Sequence, residues 1–163
     1  MKRRPTGPAP LGLRLAATLF LIGEAAPVAP ATMASFVMLP VIHLFWMGNN
    51  LVQAAVTLVV IWIAVLISTR AEIVYGHDAK AIVIDEVAGM LVTFLFVPQV
   101  EDPKARIAAL LAGFLLFRIF DVLKPFPAGR AQRWPGGVGV VFDDVLAAVY
   151  ANVLLRIGIR LFL

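Results

Sequence analysis

Cysteine is absent from this chain of 163 residues, and charged residues are scarce. The lack of cysteine excludes disulfides, thiolate zinc sites and cysteine-based phosphatase chemistry. Only 15% of the residues are charged and 61% are hydrophobic, whereas soluble domains have roughly 25% charged and 45–50% apolar residues. The composition therefore favours a membrane-embedded protein over an unusually apolar soluble bundle.

The basic residues outnumber the acidic ones by 14 to 10. A net positive charge suits either nucleic acid or an anionic lipid surface. Here the basic residues flank apolar runs and do not form a patch interleaved with aromatic residues. We therefore expect membrane lipids as partners and no nucleic acid, while the oligomeric state is not determined by the sequence.

Apolar runs separated by polar or Pro/Gly-rich connectors predict an all-α fold, a membrane-embedded bundle of about four to five apolar helices. The runs cover residues 33–47, 51–68, 82–97, 107–120 and 138–155. Residues 1–10 are predicted to be a basic tail, and residues 11–163 a single helical membrane domain. The segment 24–35 is predicted to be a Pro/Ala loop. The run 33–47 is short for a crossing and contains Pro40, so it is predicted to be broken, re-entrant or shielded by protein.

A further apolar run, residues 11–22, follows the basic start KRR at residues 2–4 and has some features of a signal peptide. Arg14 interrupts this run, and prolines at 27 and 30 lie where cleavage would occur. We therefore expect a short interfacial helix that is not cleaved, with Arg14 reaching the lipid headgroups.

The charges of the connectors predict an orientation in the membrane. With the basic N-terminus in the cytoplasm and four crossings before the connector 124–133, the uncharged turn 48–50 and the neutral loop 99–106 lie outside. The connectors 70–80 and 124–133 then lie inside. Polar residues from several helix ends fall on this same cytoplasmic side, as expected for a site at the membrane surface.

Carboxylates cluster at the ends of three predicted helices, as Asp85 and Glu86, Asp121, and Asp143 and Asp144. Oxygen ligands of this type suit Mg²⁺, which commonly bridges one or two carboxylates and a substrate phosphate. The residues predicted to bind the metal are Asp85, Asp121, Asp143 and Asp144.

Basic side chains and glycines accompany these carboxylates. Arg118, Asp121 and Lys124 recur every three residues, so one helical face presents them together. The two basic side chains are predicted to bind phosphate oxygens. Gly136 and Gly137 would let backbone N–H groups approach a phosphate closely.

The attacking group is less well defined by the sequence. Because no serine or cysteine has an evident base beside it, we favour attack by a metal-activated water. A carboxylate nucleophile, Asp143 or Asp144, is the alternative. Glu86 and His77 are further catalytic candidates, as acid–base groups.

Each of these features also has a structural explanation. Paired acids complement the dipole at a helix N-terminus, Arg118 and Asp121 could form only an ion pair, and the glycines could form only a turn. His77 could be exposed without a function, and His43 is predicted to be a packing residue. The alternative functions are a small transporter or proton-relay component, with carboxylates spread through the bilayer depth, and a membrane-surface assembly protein.

Four motifs follow one another along the chain: PVAPATMAS (27–35), HDAKAIVIDE (77–86) with Gly89 after it, FRIFDVLKPFP (117–127) and GGVGVVFDD (136–144). Together they resemble the bacterial phosphatidylglycerophosphatase A family. The resemblance implies an all-helical, Mg²⁺-dependent phosphatase of the inner membrane. It implies an anionic glycerophospholipid substrate, phosphatidylglycerophosphate, whose terminal phosphate is removed to leave phosphatidylglycerol.

The polar residues of these motifs match the family at His77, Asp78, Asp85, Glu86, Arg118, Asp121, Lys124, Asp143 and Asp144. Thr32 matches the first motif and is assigned, with Gly136 and Gly137, to substrate binding. That first motif is glycine-rich in the family, whereas here its Gly or Ser positions hold Glu24, Ala26, Ala31 and Ala34. If the segment wraps a phosphate with bare backbone, these side chains would hinder it.

Overall fold

The computed structural model describes residues 10–26, 28–76 and 79–162, and every regular element in these ranges is an α-helix. The helices are α1 (Leu11–Ala17), α2 (Ile22–Ala25), α3 (Pro30–Val37), α4 (Leu39–Trp46), α5 (Asn50–Tyr75), α6 (Ile84–Phe94), α7 (Pro103–Leu123), α8 (Ala128–Ala131) and α9 (Gly137–Phe162). The predicted all-α fold is confirmed. The tail 1–9, residue 27, His77, Asp78 and Leu163 lie outside the described residues.

Helix α6 is the buried centre of the bundle. Every residue from Asp85 to Phe94 is buried, and the helix packs against α9, α5, α7, α3 and α4. With 11 residues, α6 is about 16 Å long. The run 82–97, predicted to be a crossing, is therefore too short as a helix for a hydrocarbon core of about 30 Å.

A side chain from α9 caps the C-terminal end of α6. Asn152 Nδ2 donates to the carbonyl oxygens of Val92 at 3.2 Å, Thr93 at 3.0 Å and Leu95 at 2.9 Å. The last carbonyls of a helix lack partners within the helix. The amide of Asn152 therefore allows α6 to end inside the bundle.

Two of the described helices, α5 and α9, are long and apolar enough to cross a membrane, each with 26 residues. Only 22% of the most apolar window of α5 is buried, against 50% for α9, so α5 is the more peripheral of the two. Helix α7 has 21 residues, but it carries Lys104, Arg106, Arg118 and Asp121. By length and composition, two helices of the described chain could cross a membrane, where the sequence predicted four to five apolar helices.

Two stretches that were predicted to be loops are partly helical. The Pro/Ala segment 24–35 contains the end of α2 and most of α3, and α5 continues through Arg70 to Tyr75. Pro30 does not interrupt α3 because it lies in the first turn, where the helix needs no backbone N–H. The run 33–47 is broken as predicted, at Met38 between α3 and α4.

The N-terminal helices are joined to α5 through the side chain of Glu24. This carboxylate accepts hydrogen bonds from Arg14 of α1 and from the Tyr75 hydroxyl of α5. The hydrogen bonds from Arg14 and Tyr75 lower the pKa of Glu24 to about 2. Arg14 therefore pairs with a carboxylate, where the sequence predicted that it reaches the lipid headgroups.

Candidate active site

The polar ends of α3, α6 and α7, together with α9, surround a cavity of about 490 Å³. Its polar lining consists of Lys80, Asp85, Glu86, Asp121, Lys124, Gln132 and Asp144. Residues that are far apart along the chain thus converge at one end of the bundle, as the connector charges predicted. The buried carboxylates of the described residues lie together at this end and are not spread along the bundle, so the arrangement gives no support to a proton relay.

The two acids of α6 lie in its first turn and are buried, with Asp85 8% and Glu86 4% exposed. Glu86 Oε2 accepts a hydrogen bond from Ser35 Oγ at 2.8 Å and lies 2.6 Å from Arg118 Nη1. Burial raises the pKa of Glu86 to about 7, although the charge of Arg118 opposes this rise. Burial, with the negative charge of Glu86, also raises the pKa of Asp85 well above its usual range.

Arg118, Asp121 and Lys124 form the common face that their spacing predicts. Asp121 Oδ2 lies 3.2 Å from Arg118 Nη2, and its Oδ1 lies 3.6 Å from Lys124 Nζ. Lys124 also contacts Asp143 Oδ2 of α9, and despite burial this contact raises the pKa of Lys124. Lys124 ends α7 in the left-handed conformation, with φ at 43°. This conformation costs an L-residue about 1–2 kcal/mol, so backbone strain is stored at this site.

The two acids of α9 are buried, with Asp143 2% and Asp144 4% exposed. They lie in the second turn of a helix that begins at Gly137, so complementing the dipole of the first turn does not explain them. Asp144 lines the cavity, and its Oδ2 has no hydrogen-bond partner in the described part of the chain. A buried polar atom without a partner is costly. Asp144 is thus suited to a ligand that enters the cavity.

The acidic side chains of the site outnumber its basic side chains, which is relevant to the binding of a metal ion. Five acidic side chains are buried, and they are accompanied by two half-buried basic side chains, Arg118 and Lys124. Excess carboxylate oxygen and the unpartnered Asp144 Oδ2 fit the donor chemistry of Mg²⁺. Among the residues that the structure describes, no three acidic or histidine side chains are arranged as a set of metal ligands. A site made of all four predicted carboxylates therefore stays a prediction.

A family model described as Phosphatidylglycerophosphatase A matches residues 15–159. The chain belongs to the phosphatidylglycerophosphatase A family. It is accordingly a phosphoric monoester hydrolase, and the cavity between α3, α6, α7 and α9 is its candidate active site.

Individual relatives support this membership. A protein of Bacteroides thetaiotaomicron named "Putative phosphatidylinositol-3-phosphatase" is 34% identical over 142 residues, which are 81% of this chain and 84% of that protein. Phosphatidylglycerophosphatase A of Escherichia coli is 32% identical over 139 residues, covering 81% and 76% of the two chains. Phosphatidylglycerophosphatase A of Haemophilus influenzae is 39% identical over 79 residues, covering 48% and 45%. No solved structure shows significant similarity to the chain.

The first family motif takes part in the site in a way that the sequence did not predict. Ala29, Pro30 and Ala31 line the cavity at the start of α3, and Ala29 makes no side-chain cap. The N-terminus of a helix attracts anions through its free backbone N–H groups. Ala31 and Ala34 lie within α3, so the methyl groups at these two positions of the motif are accommodated in a helix. Glu24 is held by Arg14 and Tyr75 and is not among the described residues that line the cavity.

Three of the residues predicted to bind the substrate do not line this cavity. Gly136, Gly137 and Thr32 are not among the described residues that line the cavity. The N–H of Gly137 donates to Thr69 Oγ1 at 3.0 Å, and a Cβ at Gly137 would lie 2.3 Å from the carbonyl oxygen of Val65. The glycine thus permits close packing of α9 on α5. The predicted roles of these three residues stay predictions, and His77 lies outside the described residues.

Three polar contributors to the site were missed from the sequence. Ser35 binds Glu86 across 51 residues of chain, and Lys80 and Gln132 line the cavity. Ser35 and Lys80 belong to the first and second family motifs, so the motifs themselves carried a signal. Gln132 lies in the connector before α9, where nothing in the local sequence distinguishes it.

Proposed function

We propose that this chain hydrolyses the terminal phosphomonoester of phosphatidylglycerophosphate to phosphatidylglycerol and inorganic phosphate. The observation that carries the proposal is the cavity, where buried carboxylates and basic side chains meet at one end of an apolar helical bundle. Two relatives bear the name phosphatidylglycerophosphatase A. A lipid substrate also accounts for the apolar surface, since its acyl chains can stay in the bilayer while its headgroup enters the cavity.

We further propose that the protein is a multi-pass protein of the bacterial inner membrane, with its cavity on the cytoplasmic side. Helices α5 and α9 are the crossings supported by length and composition, and α6 and α7 complete the embedded bundle. The short α6 is tolerated at that depth because other helices surround it. The basic connector with Lys124, Arg130 and Arg133 lies at the cavity end, in agreement with a cytoplasmic orientation.

Arg118 and Lys124 are the proposed ligands of the phosphomonoester oxygens. In the structure both side chains form ion pairs with carboxylates. A phosphate can accept charge-assisted hydrogen bonds from the same basic groups. The first turn of α3, with Ala31 and Thr32, offers backbone N–H groups to the same anion.

The reaction joins a water oxygen to phosphorus, breaks the bond between phosphorus and the glycerol oxygen, and delivers a proton to that oxygen. Asp144 is the proposed acceptor of the proton from the attacking water, because its Oδ2 is buried in the cavity region without a partner in the described chain. Glu86 and His77 are the proposed candidates for protonating the leaving oxygen. Asp143 or Asp144 as a nucleophile remains the alternative route.

Mg²⁺ would neutralise phosphate charge and lower the pKa of a bound water. Asp85, Asp121 and Asp144 line the cavity and are the proposed ligands, although their oxygens are not arranged as a ligand set in the described structure and would have to come together around the ion. Asp143, which contacts Lys124, is the fourth proposed ligand. Arg118 and Lys124 act on the phosphate, while Glu86 and His77, together with Asp144, act on the protons.

Phosphate release by the purified full-length protein in lipid–detergent micelles tests this function. We expect turnover of phosphatidylglycerophosphate with Mg²⁺, loss of turnover with EDTA, and recovery when Mg²⁺ is restored. Phosphatidylinositol 3-phosphate is assayed in parallel because of the name of one relative. No release from phosphatidylglycerophosphate under any metal condition would overturn the substrate, and release that EDTA does not affect would overturn the metal dependence.

A further inference from the structure

Lys80 differs from the other basic side chains of the cavity in both exposure and partners. It lines the same cavity as Asp85, Asp121 and Asp144, yet it is exposed, whereas those acids are buried. Arg118 and Lys124 are held by carboxylates, while the described residues offer Lys80 no ion pair. Lys80 is therefore a cation at the outer part of the cavity that is available to an incoming anion.

The backbone that carries Lys80 is held in place from both sides. The turn is closed by the N–H of Ile82, which donates to the carbonyl oxygen of Ala79 at 2.8 Å. The N–H of Val83 donates to Ala17 of α1 at 2.9 Å. Gly23 of α2 packs so closely that a Cβ there would lie 2.2 Å from the carbonyl oxygen of Ala81. These contacts hold the backbone around Lys80 close to the start of α6, where Asp85 lies.

A lipid that carries both a phosphomonoester and a phosphodiester presents two anions at different depths. The monoester must reach the buried acids to react, so the diester, which is nearer the acyl chains, stays at the outer part of the cavity. An exposed lysine on a fixed backbone suits this second anion, because its flexible stem lets the ammonium follow the lipid headgroup.

We propose that Lys80 binds the phosphodiester of the lipid substrate and so selects phospholipids with two phosphates over those with a phosphomonoester alone. The proposal rests on the proposed function, since it assigns the monoester of the same substrate to the inner cluster. Lys80 is a substrate-binding residue in this scheme, and the chemical step does not depend on it.

The test compares Lys80→Ala with the parent on two lipids of equal acyl chains. For phosphatidylglycerophosphate we expect KM to rise by about tenfold or more, the size of one lost charge-assisted hydrogen bond, with kcat little changed. Phosphatidate, which has only the monoester, is measured as a competitive inhibitor, and its inhibition constant should not change. Lys80→Arg should keep KM near that of the parent, because it retains the positive charge.

Lys104→Ala is the matched control. Lys104 is also exposed, but it lies at the start of α7, whereas the cavity lies at the other end of this helix. An unchanged KM for Lys80→Ala, or an equal loss of affinity for both lipids, would overturn the proposal. If the parent enzyme itself fails to hydrolyse phosphatidylglycerophosphate, the proposed function fails separately. In that case, binding of the two lipids to the parent and to Lys80→Ala is measured directly in mixed micelles. Lys80 has the proposed role if the substitution weakens binding of phosphatidylglycerophosphate and leaves binding of phosphatidate unchanged.

Discussion

Asp144 carries the strongest functional signal of any single residue, because it combines burial, a place in the cavity wall and an unpartnered oxygen. We expect Asp144→Asn to lower kcat by about 100-fold or more, the usual contribution of a positioned acid–base group. The amide has the same shape, so membrane insertion and thermal stability should be retained. Phosphate release and the melting temperature of the purified variant check both statements.

Asp102→Asn is the matched control for this substitution. Asp102 caps the start of α7, where its Oδ2 accepts from the N–H of Ala105 at 2.7 Å. Asparagine can cap a helix in the same way, so activity should stay near that of the parent. Retention of more than about a tenth of the activity by Asp144→Asn would show that Asp144 does not have an acid–base role.

Gly23 is one of the residues at which close backbone packing excludes a side chain. An added Cβ would meet the carbonyl oxygen of Ala81 at 2.2 Å, so Gly23→Ala must displace the turn that carries Lys80 and leads into α6. We expect a loss of about 1–3 kcal/mol of stability from this overpacking, together with reduced activity. Thermal unfolding in detergent and phosphate release measure the two effects.

Gly12→Ala separates this clash from the general effect of replacing glycine. No atom lies within 4 Å of a Cβ built at Gly12, and alanine favours a helix more than glycine does. That variant should be at least as stable as the parent. If Gly23→Ala is equally stable, the close contact between α2 and Ala81 does not constrain the fold.

At the level of helices, the Glu24 carboxylate joins α1, α2 and α5. Its folded pKa of about 2 lies below the usual value of 4.5. The ionised form therefore stabilises the fold above the unfolded pKa, and this contribution is lost as the pH falls through the folded pKa. We expect Glu24→Gln to melt below the parent at about pH 7, and the gap to narrow at about pH 3. Because the pair is partly exposed, solvent limits its size.

Scanning fluorimetry across this pH range measures the gap, and Glu101→Gln provides the comparison. Glu101 is exposed in the loop before α7, so its replacement should change the melting temperature little at either pH. A gap for Glu24→Gln that is the same at both pH values would mean that the ionised carboxylate does not link the three helices.

Local features of the fold and site were predictable from the sequence, and distant ones were not. The shared face of Arg118, Asp121 and Lys124 follows from helical spacing within seven residues of chain. The contact between Ser35 and Glu86 spans 51 residues, and no periodic pattern contains it. The caps that Asn152 provides to α6 span 57 to 60 residues.

The predicted helix boundaries were wrong where the local sequence was compatible with two structures. The prolines near residue 30 predicted a loop, yet proline is also accepted in the first turn of a helix, and α3 begins there. The run 82–97 was apolar enough to predict a crossing, but α6 ends at Phe94 because Asn152 satisfies its last carbonyls. The start of α3 thus follows a second local rule for proline, whereas the end of α6 is stabilised by a tertiary contact.

For the whole molecule, the absence of cysteine makes the membrane orientation directly testable. Arg133→Cys marks the cavity end, and Glu101→Cys marks the opposite end, where Gln99 contacts Met47. In cells with an intact inner membrane, an impermeant maleimide should label Glu101→Cys but not Arg133→Cys. Lysis should expose both positions, and labelling of Arg133→Cys before lysis would contradict a cytoplasmic cavity.

The short, enclosed α6 also constrains how the protein matures. A helix of 11 residues that starts with Asp85 and Glu86 cannot stay in lipid alone during insertion, since it neither spans the bilayer nor shields its charges. It must be enclosed by other helices, and α9, which packs against it, follows it in the chain. The acids of the candidate site therefore come together late in assembly, and we expect a half-inserted chain to be inactive towards the phospholipids around it.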